Sequence, residues 1–223
     1  MNRPKIIALI PAYNEANRIS DVISEALSYV PVIVVDDGSS DDTVSVSLSA
    51  GAQVIRQLKN QGKGAALVAG FQRSLKDDCQ AVITLDADGQ HDPTEIPQFL
   101  SIYDLRQPDL IVGKRDFSRM PATRRLANTL GALSFSWALK QEIPDNQCGY
   151  RLVGSRLMRC MLESAESGFA FEVEMIRVCV DNGYKITWTP IRTIYTGSGS
   201  HIQPAKHVKE FLRLVWQTRR ATR

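Results

Sequence analysis

The sequence has no apolar run long enough to cross a bilayer. A spanning helix needs about 18 to 20 such residues. The best candidate, Leu130 to Leu139, offers about ten and reads as a buried helix. The opening Met-Asn-Arg-Pro-Lys precedes only six apolar residues, Ile6 to Pro11, too few for the core of a secretory leader. Cysteine is sparse: Cys79, Cys148, Cys160 and Cys179 lie far apart, with no Cys-x-x-Cys pair and no Cys/His cluster. That excludes a disulfide scaffold and a zinc module, and suits reduced thiols in the cytosol. A formal net charge of only +3 over 223 residues does not call for nucleic acid. Neither a P-loop nor a dinucleotide fingerprint is present, although Asn60-Gln61-Gly62-Lys63-Gly64 opens a helix where Lys63 could favour a phosphate or the glycines could serve close packing. There is no linker and no internal repeat.

What the chain does contain is an alternation of strand and helix. Lys5–Ile10 is a continuous apolar run ending at Pro11, as expected of a strand buried on both faces. The pattern predicts a helix over Asn17–Tyr29, a strand over Val32–Val35, and a helix capped by Asp41 or Asp42 and running to about Ala50. It then predicts a strand over Ala52–Arg56, a helix over Lys63–Leu75, a strand over Ala81–Leu85, a helix from Pro93 and a strand over Leu110–Gly113. Longer helices follow over about Ala122–Lys140 and Phe171–Asn182, with a strand near Lys185–Thr189. This order predicts an α/β fold with a mostly parallel central sheet, whose ligands bind at the carboxyl ends of the strands. Tyr13-Asn14-Glu15, Asp36-Asp37, Asp86-Ala87-Asp88 and Lys114-Arg115 all fall at such ends, and so predict one shared site.

Asp86 and Asp88 are two apart where a strand stops, so their carboxylates can converge on one hard cation, Mg²⁺ or Mn²⁺. Gln90 or His91 could add a ligand or orient one. A calcium loop is excluded, because Gly89 stands fourth rather than sixth and the twelfth-position Glu is missing. A phosphatase of the haloacid dehalogenase type fits poorly: Gln90 replaces the usual Thr or Val, and the triplet follows the fourth strand instead of the first.

Pro11-Ala12-Tyr13-Asn14-Glu15, Val34-Val35-Asp36-Asp37-Gly38-Ser39 and the Asp86 triplet, in that order, resemble the family 2 glycosyltransferases over nearly the whole chain. Among these the sequence is most similar to the polyprenyl-phosphate (dolichyl-phosphate) mannosyl- and glucosyltransferases. The resemblance implies a Rossmann-like GT-A domain over residues 1–203, acting as an inverting, metal-dependent hexosyltransferase. Its donor would be a nucleotide-diphosphate sugar of the GDP-mannose or UDP-glucose type, and its acceptor a polyprenyl phosphate. It places Pro11, Tyr13, Glu15, Val35, Asp37 and the Asp86-Ala87-Asp88 triplet on the nucleotide sugar, with Asp86, Asp88 and Gln90 on the metal. Arg115, Arg124 and Arg125 fall on the acceptor phosphate, for which the guanidinium fork is suited. Asp145, in Asp145-Asn146-Gln147-Cys148-Gly149-Tyr150-Arg151, is the candidate base for a hydroxyl acceptor; a phosphate acceptor is already anionic and leaves Asp145 to position groups. Glu174 is read as an orienter of the arginines or of its helix end. Tyr195 and His201 stand where the mannosyl enzymes carry Arg and Lys on the donor diphosphate, which brings less positive charge there and leaves a UDP-sugar open. A catalytically silent nucleotide-sugar binding module is a further alternative.

Residues 204–223 predict a basic amphipathic helix. Val208, Phe211, Leu212, Val215 and Trp216 share one face, and Lys206, Lys209, Arg213, Arg219 and Arg220 lie around it. Such a helix suits either the protein's own core or an anionic membrane surface or membrane partner protein, with the enzyme peripheral at the cytoplasmic membrane face.

Overall fold

The structure, a computed structural model, describes residues 4–120, 122–164, 166, 170–192, 194, 215, 216 and 218–220, without the side chains of Arg119, Thr123 and Arg124. In chain order the elements are β1 (Ile6–Ala12), α1 (Ile19–Leu27), β2 (Val32–Asp36), α2 (Thr43–Ser49), β3 (Gln53–Arg56), α3 (Lys63–Lys76) and β4 (Ala81–Thr84). Then come α4 (Ile96–Arg106), β5 (Leu110–Arg115), α5 (Ala122–Leu139), β6 (Arg151–Gly154), α6 (Ser155–Met161), α7 (Ala170–Asp181) and β7 (Ile186–Ile191). Three-residue 3₁₀ turns, Pro93–Glu95 and Phe117–Arg119, precede α4 and α5.

The strands form one seven-stranded sheet in the order β3-β2-β1-β4-β6-β5-β7. β1 is central and buried along its whole length, which is why its sequence is apolar at consecutive positions. It pairs in parallel with β2 (Ile10 opposite Val34) and with β4 (Leu9 opposite Thr84). β2–β3 and β5–β7 are also parallel. The expected mostly parallel α/β sheet is therefore present, with one departure. β6 is antiparallel to both β4 and β5, with Arg151 opposite Thr84 and Val112.

The sequence pattern does not announce β6, because it starts with a charged side chain and ends on glycine, leaving only Leu152 and Val153 as an apolar pair. Its direction matters for the site. Being reversed, β6 begins at the edge where β1, β2, β4 and β5 end, so the segment Asp145–Tyr150 arrives there too.

α3 packs on β1 and β2, and α6 packs between α3 and α7. Phe71 of α3 meets Phe171 of α7 with ring centroids 6.2 Å apart. The cap of α2 comes from Asp41, whose carboxylate accepts from the Thr43 N–H at 3.0 Å, while Asp42 occupies the cap position without bonding through its side chain. At the end of β2, Gly38 has φ +75°, and a Cβ there would lie 2.7 Å from the Lys59 backbone, so this tight turn requires glycine. Near the C-terminus Val215 is buried in the core while Trp216 is 59% exposed. Of the expected terminal helix, Val208, Phe211 and Leu212 lie outside the described residues.

Candidate functional site

The β1–α1 and β2–α2 loops are tied together by polar contacts. Asn14, at φ 57°, donates its N–H to Ser39 Oγ and accepts from the Ser40 N–H through its side chain, each at 2.9 Å. The Glu15 N–H reaches Thr43 Oγ1 at 2.9 Å. Asp37 anchors a third loop: its two carboxylate oxygens accept from the N–H groups of Gln61 and Gly62 at 2.8 and 2.7 Å. These ties fix the start of α3 beside the end of β2.

Together these loops and the end of β4 enclose a cavity of about 300 Å³. Its wall includes Pro11, Tyr13, Glu15, Asp37, Asp86, Ala87 and Asp88, residues drawn from three separate sequence motifs. Val35, also expected at the nucleotide, is fully buried in the core and does not line the cavity. Tyr13 is 46% exposed, leaving its ring open to a partner. Burial raises the pKa of Glu15 against the pull of Arg18, and the charges of Asp88, Asp41 and Asp86 push the same way. The cavity thus concentrates negative charge, which a cation would relieve.

The two aspartates of the triplet are held differently. Asp86 pairs with Lys63, Nζ to Oδ1 at 2.5 Å, and the same ammonium lies 2.6 Å from Glu172 Oε1. Burial opposes the Asp86 charge, yet the Lys63 ammonium above all holds its carboxyl down to about 2. The same carboxylates hold the Lys63 ammonium in its charged form although burial works against it. Asp88 instead accepts from Gln90, from the backbone N–H at 2.9 Å and the side-chain amide at 2.6 Å. His91 accepts the Asp86 N–H on Nδ1 at 3.0 Å, so that nitrogen carries no proton, and burial lowers the pKa of the ring.

Among the described residues no group of three or more His, Cys, Asp or Glu side chains is gathered to enclose a metal ion. The oxygen donors at hand, Asp88 above all with Asp86 and Gln90 beside it, are of the kind that a hard divalent cation takes.

The second half of the site is built on β5 and the Asp145 segment. Arg115 donates to Asp145 from Nε at 2.7 Å and Nη2 at 2.9 Å, and lies over the Phe117 ring with 5.8 Å to its centroid. Asp145 is fully buried and also accepts from the N–H groups of Arg115, Gln147 and Cys148. Arg151, also fully buried, donates to the carbonyls of Cys148, Glu172 and Asn146 and so shapes the loop that carries Asp145. Arg125 is exposed near the start of α5; the Arg124 side chain, Tyr195 and His201 lie outside the described side chains and residues.

Sequence reasoning weighed Lys63 only for phosphate or close packing, read Gly149 and Arg151 only as parts of the Asp145 segment, and gave Glu172 no role. Glu174, expected to orient the arginines or its helix end, pairs with Arg177 of its own helix at 3.1 Å and with Ser164. Glu172, two residues earlier, points to the site. Gly149 leaves the room: a Cβ there would lie 2.8 Å from Lys63 Nζ and 3.2 Å from each Asp86 carboxylate oxygen.

The model of glycosyl transferase family 2 matches residues 7–162. Undecaprenyl-phosphate mannosyltransferase of Micrococcus luteus is 29% identical over 202 residues, covering 84% of this chain and 82% of that protein. UDP-N-acetylglucosamine–dolichyl-phosphate N-acetylglucosaminyltransferase of Methanococcus voltae is 27% identical over 218 residues, covering 86% of each. The crystal structure of glucosyl-3-phosphoglycerate synthase from Mycobacterium tuberculosis with Mn²⁺ and UDP-glucose superposes with a TM-score of 0.71 at 21% identity, over 96% of this chain and 77% of that one. At that identity the likeness is one of fold.

Proposed function

We propose that this chain, which belongs to glycosyl transferase family 2 and has the GT-A fold, moves a hexose from a nucleotide-diphosphate sugar to a polyprenyl phosphate at a membrane surface. The observation that carries this reading is the pairing of two halves at one sheet edge. One is a carboxylate-lined cavity next to Asp86 and Asp88. The other is an arginine, Arg115, locked in place by a buried carboxylate. The first suits a nucleoside diphosphate with its cation, and the second suits an anionic acceptor.

In this reading Tyr13 and Asp37 lie against the nucleoside. Each Asp37 oxygen already accepts one backbone N–H and keeps a lone pair for a base N–H or a ribose hydroxyl. Asp88, with Asp86 and Gln90 beside it, would hold Mg²⁺ or Mn²⁺, which when bound neutralises the charge growing on the leaving diphosphate. Lys63 fixes the Asp86 carboxylate and brings a positive charge to the same wall. Arg115 and Arg125 orient the acceptor phosphate. Its oxygen attacks the anomeric carbon, the bond from that carbon to the diphosphate oxygen breaks, and the nucleoside diphosphate departs with the electron pair. One displacement inverts the anomeric centre. The acceptor is already an anion, so no side chain need take its proton, and Asp145 serves by holding Arg115.

The donor half is tested by thermal shift with Mn²⁺ and a panel of GDP- and UDP-sugars. A donor at about 100 times its Kd should stabilise the protein by about 2.7 kcal/mol. Asp88→Ala should remove that stabilisation; an unshifted melting temperature across the panel would refute the donor half.

A further inference from the structure

α5 is apolar on two opposite sides. Its inner side, including Phe135, Ala138 and Leu139, is buried. On its outer side Leu126, Leu130, Leu133 and Trp137 are 61%, 55%, 62% and 57% exposed. Their spacing of four, three and four residues aligns them in one stripe over about three turns. Single exposed leucines need no explanation, but an aligned stripe marks a surface that something covers.

The described C-terminal residues meet the stripe at Trp137. Trp216 is 59% exposed, while its neighbour Val215 is buried and fixes this segment to the protein. Arg219 donates to the Trp137 carbonyl at 3.3 Å and lies over the Trp137 ring with 4.7 Å to its centroid. Arg220 lies over the Trp216 ring at 4.1 Å. Two outward tryptophans, each carrying a guanidinium, match the boundary between acyl chains and headgroups, where rings sit in the apolar layer and cations meet phosphates.

Charge selects the occupant. From Met120 to Gln141 the chain has no Asp or Glu but has Arg124, Arg125 and Lys140. From Ala205 to Arg223 it has six Lys or Arg and one acidic residue, Glu210. Positive charge in the segments that carry an apolar, tryptophan-bearing stripe fits an anionic bilayer. A second copy of this chain would bring the same positive charge and be repelled.

We infer that the outer face of α5, together with Trp216, is the surface on which the protein lies against an anionic bilayer. For its purpose this rests on the acceptor reading above. α5 follows Arg115 after one short turn, so a bilayer against α5 brings a lipid phosphate to the edge where Arg115 stands.

The test uses the full chain and vesicles of phosphatidylcholine with or without phosphatidylglycerol, free of polyprenyl phosphate. Flotation should recover the protein with the anionic vesicles and not with the neutral ones, and tryptophan emission should move to shorter wavelength. Leu130→Gln/Leu133→Gln should lower vesicle binding by about tenfold or more. Because both side chains face outward, melting temperature and transfer to a short-chain, water-soluble prenyl phosphate should be unchanged. Leu126→Gln/Trp216→Gln gives a second pair, one on α5 and one on the C-terminal segment, and should lose binding likewise. Undiminished flotation of both variants, or wild-type protein that binds neither vesicle, overturns the inference. So does sedimentation showing a wild-type dimer that the variants dissociate, which would assign the face to a second copy. Intact vesicle binding without transfer to any prenyl phosphate would remove the acceptor reading and leave this one standing.

Discussion

Arg115 and Asp145 meet as a fork on a carboxylate, with Nε 2.7 Å and Nη2 2.9 Å from the two oxygens. Asp145 is fully buried, and three backbone N–H groups complete its shell. A carboxylate engaged by five donors is suited to hold an arginine and poorly placed to take a proton.

Asp145→Asn is therefore expected to misplace Arg115 without changing the shape of the pH–rate profile. Losing the second half of the fork should lower kcat/KM by roughly a hundredfold, mostly through KM for the acceptor. A base would behave differently: its loss removes the limb of the profile that reports its own titration. Arg115→Met tests the pair from the other side. It leaves Asp145 buried without its cation and should cost about 3 kcal/mol in urea unfolding.

The Lys63 ammonium joins Asp86 at 2.5 Å to Glu172 at 2.6 Å, and the other Glu172 oxygen, Oε2, is buried with no hydrogen-bond partner among the described residues. Lys63→Met should strand two carboxylates and cost about 2 kcal/mol, at the lower end for such pairs because Lys63 is itself a third exposed. Lys63→Met/Glu172→Gln should regain at least about 1 kcal/mol, a non-additivity readable in a double-mutant cycle. Additive losses would mean that the two residues do not share one charge.

Gly149→Ala would place a methyl 2.8 Å from Lys63 Nζ. The ammonium must then leave Asp86 or the loop must move. The expected result is a loss of about tenfold or more in donor affinity, seen by titration of the nucleotide sugar, with only about 1 kcal/mol lost in stability. Wild-type donor affinity in this variant would show that the Lys63–Asp86 pair is not needed at the cavity wall.

Burial pushes the thiols of Cys148 and Cys179 up to about 12 and raises that of Cys79. Cys160 is the least buried of the four. A disulfide reagent at neutral pH should modify at most Cys160 in the native protein and all four after unfolding, as counted by mass spectrometry. Rapid native modification of Cys148 would contradict the packing drawn around Asp145.

Much of this molecule can be read along the chain because its signals are local. The apolar run of β1, the Asp41 cap and the strand-end carboxylates Asp37, Asp86 and Asp88 each sit within a few residues of the pattern that predicts them. The unread parts depend on distant partners. Lys63 could be weighed for phosphate or packing, but only folding places it between Asp86 and Glu172. β6 has only two apolar residues, Leu152 and Val153, and starts with Arg151, whose charge is met by carbonyls from two other segments. Glu172 and Glu174 are indistinguishable in sequence, and the helix turn alone sends one to the site and the other to Arg177.

The most direct measurement is transfer of labelled hexose from a nucleotide sugar to two short prenyl acceptors, one a phosphate and one the free alcohol, with Mn²⁺ present. Label is expected on the phosphate alone, with an inverted anomeric centre, and should fall by at least about a hundredfold in Arg115→Met and Asp88→Ala. Equal labelling of the alcohol, or transfer that persists in both variants, would contradict a site in which Asp88 serves the donor and Arg115 the acceptor phosphate.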